Sequence, residues 1–572
     1  MTTPSPRSST RAALRNAAVI LLALATLVLT SAGPAAAQSF TDPTIERQIL
    51  VDGLADPTAL EVTPDGRVIW VHREGRVKIW KQDGTVVDAA KVPVDAYDRA
   101  GNGQWGGTET CPRGDECPAG FELAEGGIHG ILLAEDFAET GHLYLYYTVV
   151  GSLGSPVDPP KMPDARGPDD TESKFRLSRF TLVGDTLDLE SEVALFENPA
   201  EWFHCCHYGG DMEWLSDGSL VLTVGDDTIS DFSGGFSPHD PRPGWEFNNA
   251  DLTAQNLADR RGKVLRIDVN GVLPDAPGQD PRVPPDNPFL EVDGADPYVY
   301  AYGFRSNYRV SVDPGTDTLY VATVGPDSRN ANANRGPAAH EEIETVPPGG
   351  GTNHGWPRCI ANNEAYNRYD FETNTSLEKF DCTGMTPASF YYTANPSPTT
   401  SPYLTMGTGG LTAMAGVVYE RPDSGALRLP APYDGQLLWM EFARNQVWRT
   451  PINADGTLNN NPALLLPAIY GGPRNPIDSQ VGPDGAVYLV EYGTGIWNNT
   501  NGRISRLICD GCTPDPADYG GARVVDPDVA LSLGGVDTGG LVDAGLVGRM
   551  VLLGLAVAAT LGRTLRRRRR VI

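Results

Sequence analysis

Two histidines and two cysteines stand side by side at His204-Cys205-Cys206-His207, followed by Tyr208-Gly209-Gly210 and, shortly after, an apolar strand expected at 219–224. An imidazole with a pKa near 6.5 can take up a proton at neutral pH. A histidine at the mouth of a scaffold strand therefore reads as a reactive base. The same residues have other uses. His204 and His207 could share a metal ion, although a three-residue spacing in an extended or turned segment fixes no ligand geometry. Cys205 and Cys206 either close on each other as a vicinal disulfide or are two buried thiols with separate partners. Cys509-x-x-Cys512 has the spacing of a redox pair or of half a zinc site, but no second Cys or His pair lies near it, which favours a structural bridge.

The elements that must hold these residues repeat loosely. Six times a Gly- or Asp-containing turn precedes a short strand rich in Val, Leu and Tyr, at 68–71, 143–149, 220–224, 319–324, 437–440 and 487–490. Second strands follow at 76–80, 175–182, 263–269, 447–452 and 503–508. Helical periodicity is scarce between the termini, and the 64 glycines and 47 prolines favour many short strands and turns. Radial repetition of small antiparallel sheets accommodates this pattern. The expected fold is all-β, a six-bladed β-propeller of four-stranded blades with long loops on one face, with an array of β-sandwiches as the alternative.

The termini predict export. Arg7, Arg11 and Arg15, the apolar run 17–29 and Ala35-Ala36-Ala37 have the layout of a secretory signal over 1–37. The propeller is expected over 38–512 and a linker over 513–540. An apolar segment at 541–562 precedes the basic tail 563–572, the arrangement of a membrane-anchor helix with its positive side in the cytoplasm; a cleaved sorting tail is the rival. Either way the chain is expected at the cell surface. The whole chain carries 45 Lys and Arg against 73 Asp and Glu. Without three arginines before Gln38 and seven arginines and one aspartate after position 540, the ratio is 35 to 72. Such a surface repels nucleic acid and anionic lipid, so a neutral substrate is expected, and any anionic cofactor needs clustered arginines. The eight cysteines form four close pairs, Cys111 with Cys117, Cys205 with Cys206, Cys359 with Cys382 and Cys509 with Cys512, which in an exported chain read as local disulfides.

Five stretches in order then carry a resemblance. They are Glu125-Gly126-Gly127-Ile128-His129-Gly130, Cys205-Cys206-His207-Tyr208-Gly209-Gly210 with Gly225-Asp226-Asp227, Pro284-Pro285-Asp286-Asn287-Pro288-Phe289, Gly303-Phe304-Arg305-Ser306-Asn307-Tyr308-Arg309, and Glu341-Glu342-Ile343 with Asn353-His354-Gly355-Trp356-Pro357. Over roughly 48–508 the chain resembles the soluble sugar dehydrogenases that use pyrroloquinoline quinone (PQQ), the glucose/sorbosone dehydrogenase group of six-bladed propellers. The resemblance implies PQQ and Ca²⁺ as cofactors and a sugar hemiacetal as substrate. It makes His207 the base that removes the hydroxyl proton and Arg305 the cation that stabilises charge developing on the quinone. Ser306 and Asn307 stand where Asn and Pro are usual, so a cofactor contact of that asparagine would be lost or taken over by the shorter Ser306. Cys205 and Cys206 would form the floor under the planar cofactor, and Arg444 would meet its carboxylates. Glu125 stands where some members have glutamine and would hydrogen-bond substrate or arginine. The backbone carbonyls of Gly336 and Pro337, ahead of Glu341-Glu342-Ile343, would hold the Ca²⁺.

Two functions follow. One is a surface-tethered PQQ- and Ca²⁺-dependent dehydrogenase of an aldose or related hydroxy-aldehyde that passes electrons to a respiratory acceptor. The other is a non-catalytic extracellular binding propeller that has lost the cofactor.

Overall fold

The computed structural model of the chain describes residues 45–96, 104–105, 126–149, 174–199, 207–228, 231–274, 278–396, 406–466, 472–495 and 499–509. Among them, six four-stranded antiparallel sheets follow one another as blades. From the innermost strand outward, blade 1 is Pro57–Val62, Val68–His72, Arg76–Trp80 and Val86–Lys91. Blade 2 is Ile128–Leu133, His142–Thr148, Lys174–Val183 and Thr186–Pro199; blade 3 is Gly209–Trp214, Leu220–Val224, Lys263–Ile267 and Val299–Tyr302. Blade 4 is Ser306–Asp313, Thr318–Val324, Glu341–Val346 and Phe390–Tyr392; blade 5 is Ala413–Tyr419, Gln436–Glu441, Gln446–Pro451 and Ala463–Leu466. Blade 6 takes Pro476–Val481, Val487–Glu491 and Gly502–Ile508 from late in the chain, and its outermost strand is Glu46–Leu54 from the beginning. The six-bladed expectation holds, and the six strands marked by turn and apolar run are the second strands of the six blades.

Those second strands are continuous apolar runs because both of their faces are covered. Successive side chains point to opposite faces of a sheet. Leu220 and Leu222 thus pack with Leu132, Tyr144 and Tyr146 of blade 2, while Val221 packs with Val310 and Leu319 of blade 4. The core lies between neighbouring blades all round the ring. The ring's centre is polar. Arg309, fully buried on the innermost strand of blade 4, donates to the carbonyls of Thr58, His129 and Ile477 and to Asp211. One guanidinium thereby ties the innermost strands of blades 1, 2, 3 and 6 to its own. Buried without a second partner, such a charge would be costly, and the carboxylates of Asp211 and Asp478 compensate it.

The disulfide Cys359–Cys382 is present, with its Cα atoms 6.0 Å apart, and closes a loop after the third strand of blade 4. Cys509 is also disulfide-bonded. Cys111, Cys117, Cys205, Cys206 and Cys512 lie outside the described residues, as do Glu125, His204, the expected signal and the expected anchor. Among the described residues, no helix is long and apolar enough to cross a membrane.

Candidate active site

The described site residues meet at the end of the ring where the innermost strands begin. His207 lies two residues before the innermost strand of blade 3, buried, with φ at +75°. A non-glycine residue there is strained by on the order of 1–3 kcal/mol, so neighbouring structure must hold it. The hairpin of blade 3 does so. Gly209 pairs with Val224, and beyond that pair the two strands run on together, Gly225 N donating to Tyr208 O (3.3 Å) and Asp227 N to His207 O (3.4 Å). A side chain at 225 is excluded, because a Cβ would lie 1.9 Å from the His207 carbonyl oxygen. This sets Asp226 beside the imidazole, its Oδ1 2.8 Å from His207 Nδ1.

Asp226 is wholly buried and fully bonded. Its Oδ1 also accepts from Thr228 N (3.2 Å), and its Oδ2 accepts from Thr228 Oγ1 (2.7 Å) and Trp356 Nε1 (2.6 Å). Burial by itself would push this carboxyl up, but His207, then Arg305 and Thr228, outweigh it and hold Asp226 below the ordinary carboxylate range. An ionised carboxylate only accepts, so Nδ1 carries the proton and Nε2 is left as the basic nitrogen. Among the described residues Nε2 has no hydrogen-bond partner.

Arg305 is brought alongside by a backbone bond from Asp226 N to its carbonyl (2.7 Å). Its buried guanidinium donates to Val324 O (3.0 Å), stands 5.8 Å from the centre of the Trp356 ring, and meets the mostly exposed carboxylate of Asp327 only at 3.7 Å. The charge is thus held in place and loosely neutralised. Ser306 opens the innermost strand of blade 4 and is buried. The neighbouring Asn307 bridges to blade 3 through Lys263 O (2.7 Å).

Arg444 differs from expectation. Its donors go to the carbonyls of Gly410, Met406, Gly407 and Thr393 at 2.8–3.3 Å, so in this arrangement it clamps the loop before blade 5. Two acids border it. Burial pushes Glu341 up to about 7, although the N–H groups of Ala413 and Gly325 and the charges of Arg305 and Arg444 oppose this. Burial pushes Glu441 up to about 8 against the pull of Arg444. Glu341 joins blades 4 and 5 by accepting from Gly325 N (2.9 Å) and Ala413 N (2.7 Å).

Gly336 has φ at +125°, and a Cβ there would lie 2.8 Å from the Tyr366 ring. Its carbonyl accepts from Asn332 N (2.9 Å). Tyr366 is fully buried, its hydroxyl has no partner among the described residues, and its ring stands against Trp356. The Gly336-Pro337 turn is thereby placed beside the residues that flank Arg305. Among the described residues, no cluster of His, Cys, Asp or Glu side chains is arranged to hold a metal ion; a site built from backbone carbonyls would not be such a cluster.

The bonds that two residues make at the centre of this arrangement were not read from the sequence. Asp226 was legible in principle, because a hairpin pairing Gly209 with Val224 sets 207 and 226 opposite each other. Trp356 was not, since it reaches Asp226 from 130 positions away.

A six-bladed ring with a histidine-carboxylate pair and a buried arginine at its mouth defines a class, and the comparisons agree with it. The chain belongs to the glucose/sorbosone dehydrogenase family, whose model matches residues 54–494. It is 23% identical over 315 residues to the aldose sugar dehydrogenase YliI of Escherichia coli (strain K12), across 55% of this chain and 62% of that protein. It is also 23% identical over 383 residues to the quinoprotein glucose dehydrogenase B of Acinetobacter calcoaceticus, across 65% of each. The chain spans 60–65% of the length of three of the curated relatives it matches and a third or less of two others. The crystal structure of the soluble aldose sugar dehydrogenase of Escherichia coli in its apo-form superimposes with a TM-score of 0.52, over 81% of this chain and 99% of that one at 17% identity, a likeness of fold.

Proposed function

We propose that this chain is a PQQ- and Ca²⁺-dependent dehydrogenase of an aldose or related hydroxy-aldehyde, exported and held at the cell surface, that delivers electrons to a respiratory acceptor. The observation that carries the reading is the His207–Asp226 pair, with a proton on Nδ1, an Nε2 that has no hydrogen-bond partner among the described residues, and the Arg305 cation alongside. His207 Nε2 takes the proton from the anomeric hydroxyl, and Asp226 stabilises the imidazolium that forms. Asp226 is fixed by Thr228 and Trp356, so the ring keeps its orientation through the transfer. Bound PQQ supplies the two-electron acceptor of the reaction.

The residues present fit a planar, electron-poor, anionic group: Arg305 carries a loosely neutralised charge, and beside it Tyr366 has a buried hydroxyl with no partner among the described residues. These two would hold it, with Ser306 and, from outside the described residues, Cys205, Cys206 and Glu125. The Gly336 and Pro337 carbonyls would hold the Ca²⁺, a hard cation that suits oxygen ligands. Arg444 supports this site through the loop it clamps. That commitment of Arg444 to carbonyls is also what favours the second reading, a binding propeller without cofactor.

The test uses the purified full chain with PQQ, Ca²⁺, a panel of aldoses and an artificial electron acceptor. Reduction of the acceptor is expected, and His207→Ala should abolish it while PQQ still binds. No turnover across the panel together with no PQQ binding would leave the binding-propeller reading.

A further inference from the structure

Asp226 receives four hydrogen bonds, and three of them come from its own hairpin and the turn after it, from His207 and Thr228. The fourth comes from another blade. Trp356 Nε1 reaches Oδ2 at 2.6 Å, the shortest of the four, from the loop between the third and fourth strands of blade 4. The indole is buried, with 3% of its surface exposed, and its backbone is fixed independently of Asp226. Its N–H donates to Gly303 O (3.0 Å), and its carbonyl accepts from Gln255 Nε2 (2.7 Å). Three residues on, Cys359 returns a backbone bond to Gly355 O (2.9 Å) and anchors the loop through its disulfide to Cys382. The same indole also meets the site's cation and its buried tyrosine, with Arg305 Cζ over the ring at 5.8 Å and the Tyr366 ring edge-on at 6.2 Å.

We propose that Trp356 is a positioning residue that sets the His207–Asp226 pair and Arg305 relative to each other. This rests on the function proposed above. The indole N–H draws charge toward Oδ2 and fixes the plane of the carboxylate, so Oδ1 meets Nδ1 in line. Without that N–H, Oδ2 keeps only the rotatable Thr228 hydroxyl: the plane of the carboxylate is held less firmly, and the charge the indole had drawn to Oδ2 returns to Oδ1 and the imidazole. The other charged groups around the pair stay in place: Arg305 and Asp327 of blade 4, and Asp227, Arg261 and Lys263 of blade 3.

Trp356→Phe keeps an aromatic ring, though a smaller one, and removes the donor. In the full chain with PQQ and Ca²⁺, kcat/KM for an aldose should fall about 10- to 100-fold, the scale of one hydrogen bond to a buried charge. A more strongly charged neighbour favours the imidazolium, so the acid limb of the kcat/KM profile should move up by roughly half a pH unit or more. A merely structural role would not move that limb.

The second readout needs no turnover. In the cofactor-free full chain, the ring of His207, assigned by the signal that His207→Ala removes, is titrated by NMR, and its pKa should rise in Trp356→Phe. Gln255→Ala, which loosens the Trp356 carbonyl without touching the indole, should move it in the same direction by less. An unchanged His207 titration in a folded Trp356→Phe overturns the proposal; if that variant does not fold, Gln255→Ala decides in the same way. A wild-type chain that oxidises no aldose would defeat the functional reading, while the titration would still judge Trp356.

Discussion

Replacing Asp226 by asparagine tests the catalytic reasoning most directly, because the substitution changes one oxygen into an NH2 group inside a site that offers only donors. In one amide orientation the NH2 group faces Trp356 Nε1–H, and the 2.6 Å bond is lost. In the other it faces Thr228 N–H and His207, giving up the longer 3.2 Å bond. The second orientation keeps the shorter contact and is expected to prevail. His207 can then accept from the amide only by moving its proton from Nδ1 to Nε2, and a protonated Nε2 cannot take the substrate's proton. The general-base contribution, typically 10²–10⁴-fold, should be lost from kcat. One buried N–H left unsatisfied costs about 1–3 kcal/mol, so the fold should survive. The assay pairs kcat at saturating aldose with a urea melt and with PQQ binding measured by absorbance. A variant that folds, binds PQQ and keeps kcat within about threefold of the wild type would refute the assignment of His207 as base and of Asp226 as the group that sets its tautomer.

Other consequences can be measured without a substrate. Arg309→Met strands Asp211 and Asp478 in the ring's centre, so a loss of about 3–5 kcal/mol is expected in urea melts; a loss under about 1 kcal/mol would show that the channel relaxes around the gap. Cys382→Ser opens a loop with a sequence separation of 23, worth about 3 kcal/mol by chain entropy, and an unchanged melt would mean that packing alone holds it. Glu341 and Glu441, raised to about 7 and about 8, hold protons in the folded protein that the unfolded chain releases from about pH 4.3 upward. Stability should therefore fall as pH rises from about 5 to 8, by up to roughly 1.4 kcal/mol per unit for each group, and level off above. Glu441→Gln should make that slope shallower, and stability that rises through the same window would contradict it.

The second strands were legible because they are buried on both faces: Val68–His72 and Leu220–Val224 are unbroken runs of buried residues. The innermost strands were not, since their channel face is polar. Gly209–Trp214 carries Asp211 and Glu213, and Ser306–Asp313 carries Arg309, so neither shows an apolar run. Outermost strands such as Val86–Lys91 are half exposed and leave an equally faint signal. At the site, residue type and order singled out His207 and Arg305, which the fold brings close together, but what a side chain bonds to depends on the backbone that folds around it. Arg444 is the case in point: the turn through Met406, Gly407 and Gly410 offers it carbonyls that no spacing announces.

The pairing of Glu46–Leu54 with Gly502–Ile508 sets the order in which this molecule can be completed. Blades 1 to 5 can stack one on the next as the chain lengthens, but the strand that finishes blade 6 waits, unpaired, for partners made last. Arg47 meets Glu491 across 444 positions, a separation of the kind that slows folding because a long loop must close before its contacts form. Until Ile508 is available the first and last blades both expose a sheet face and an edge, so the interval between synthesis and closure is when this protein depends most on being kept from other chains.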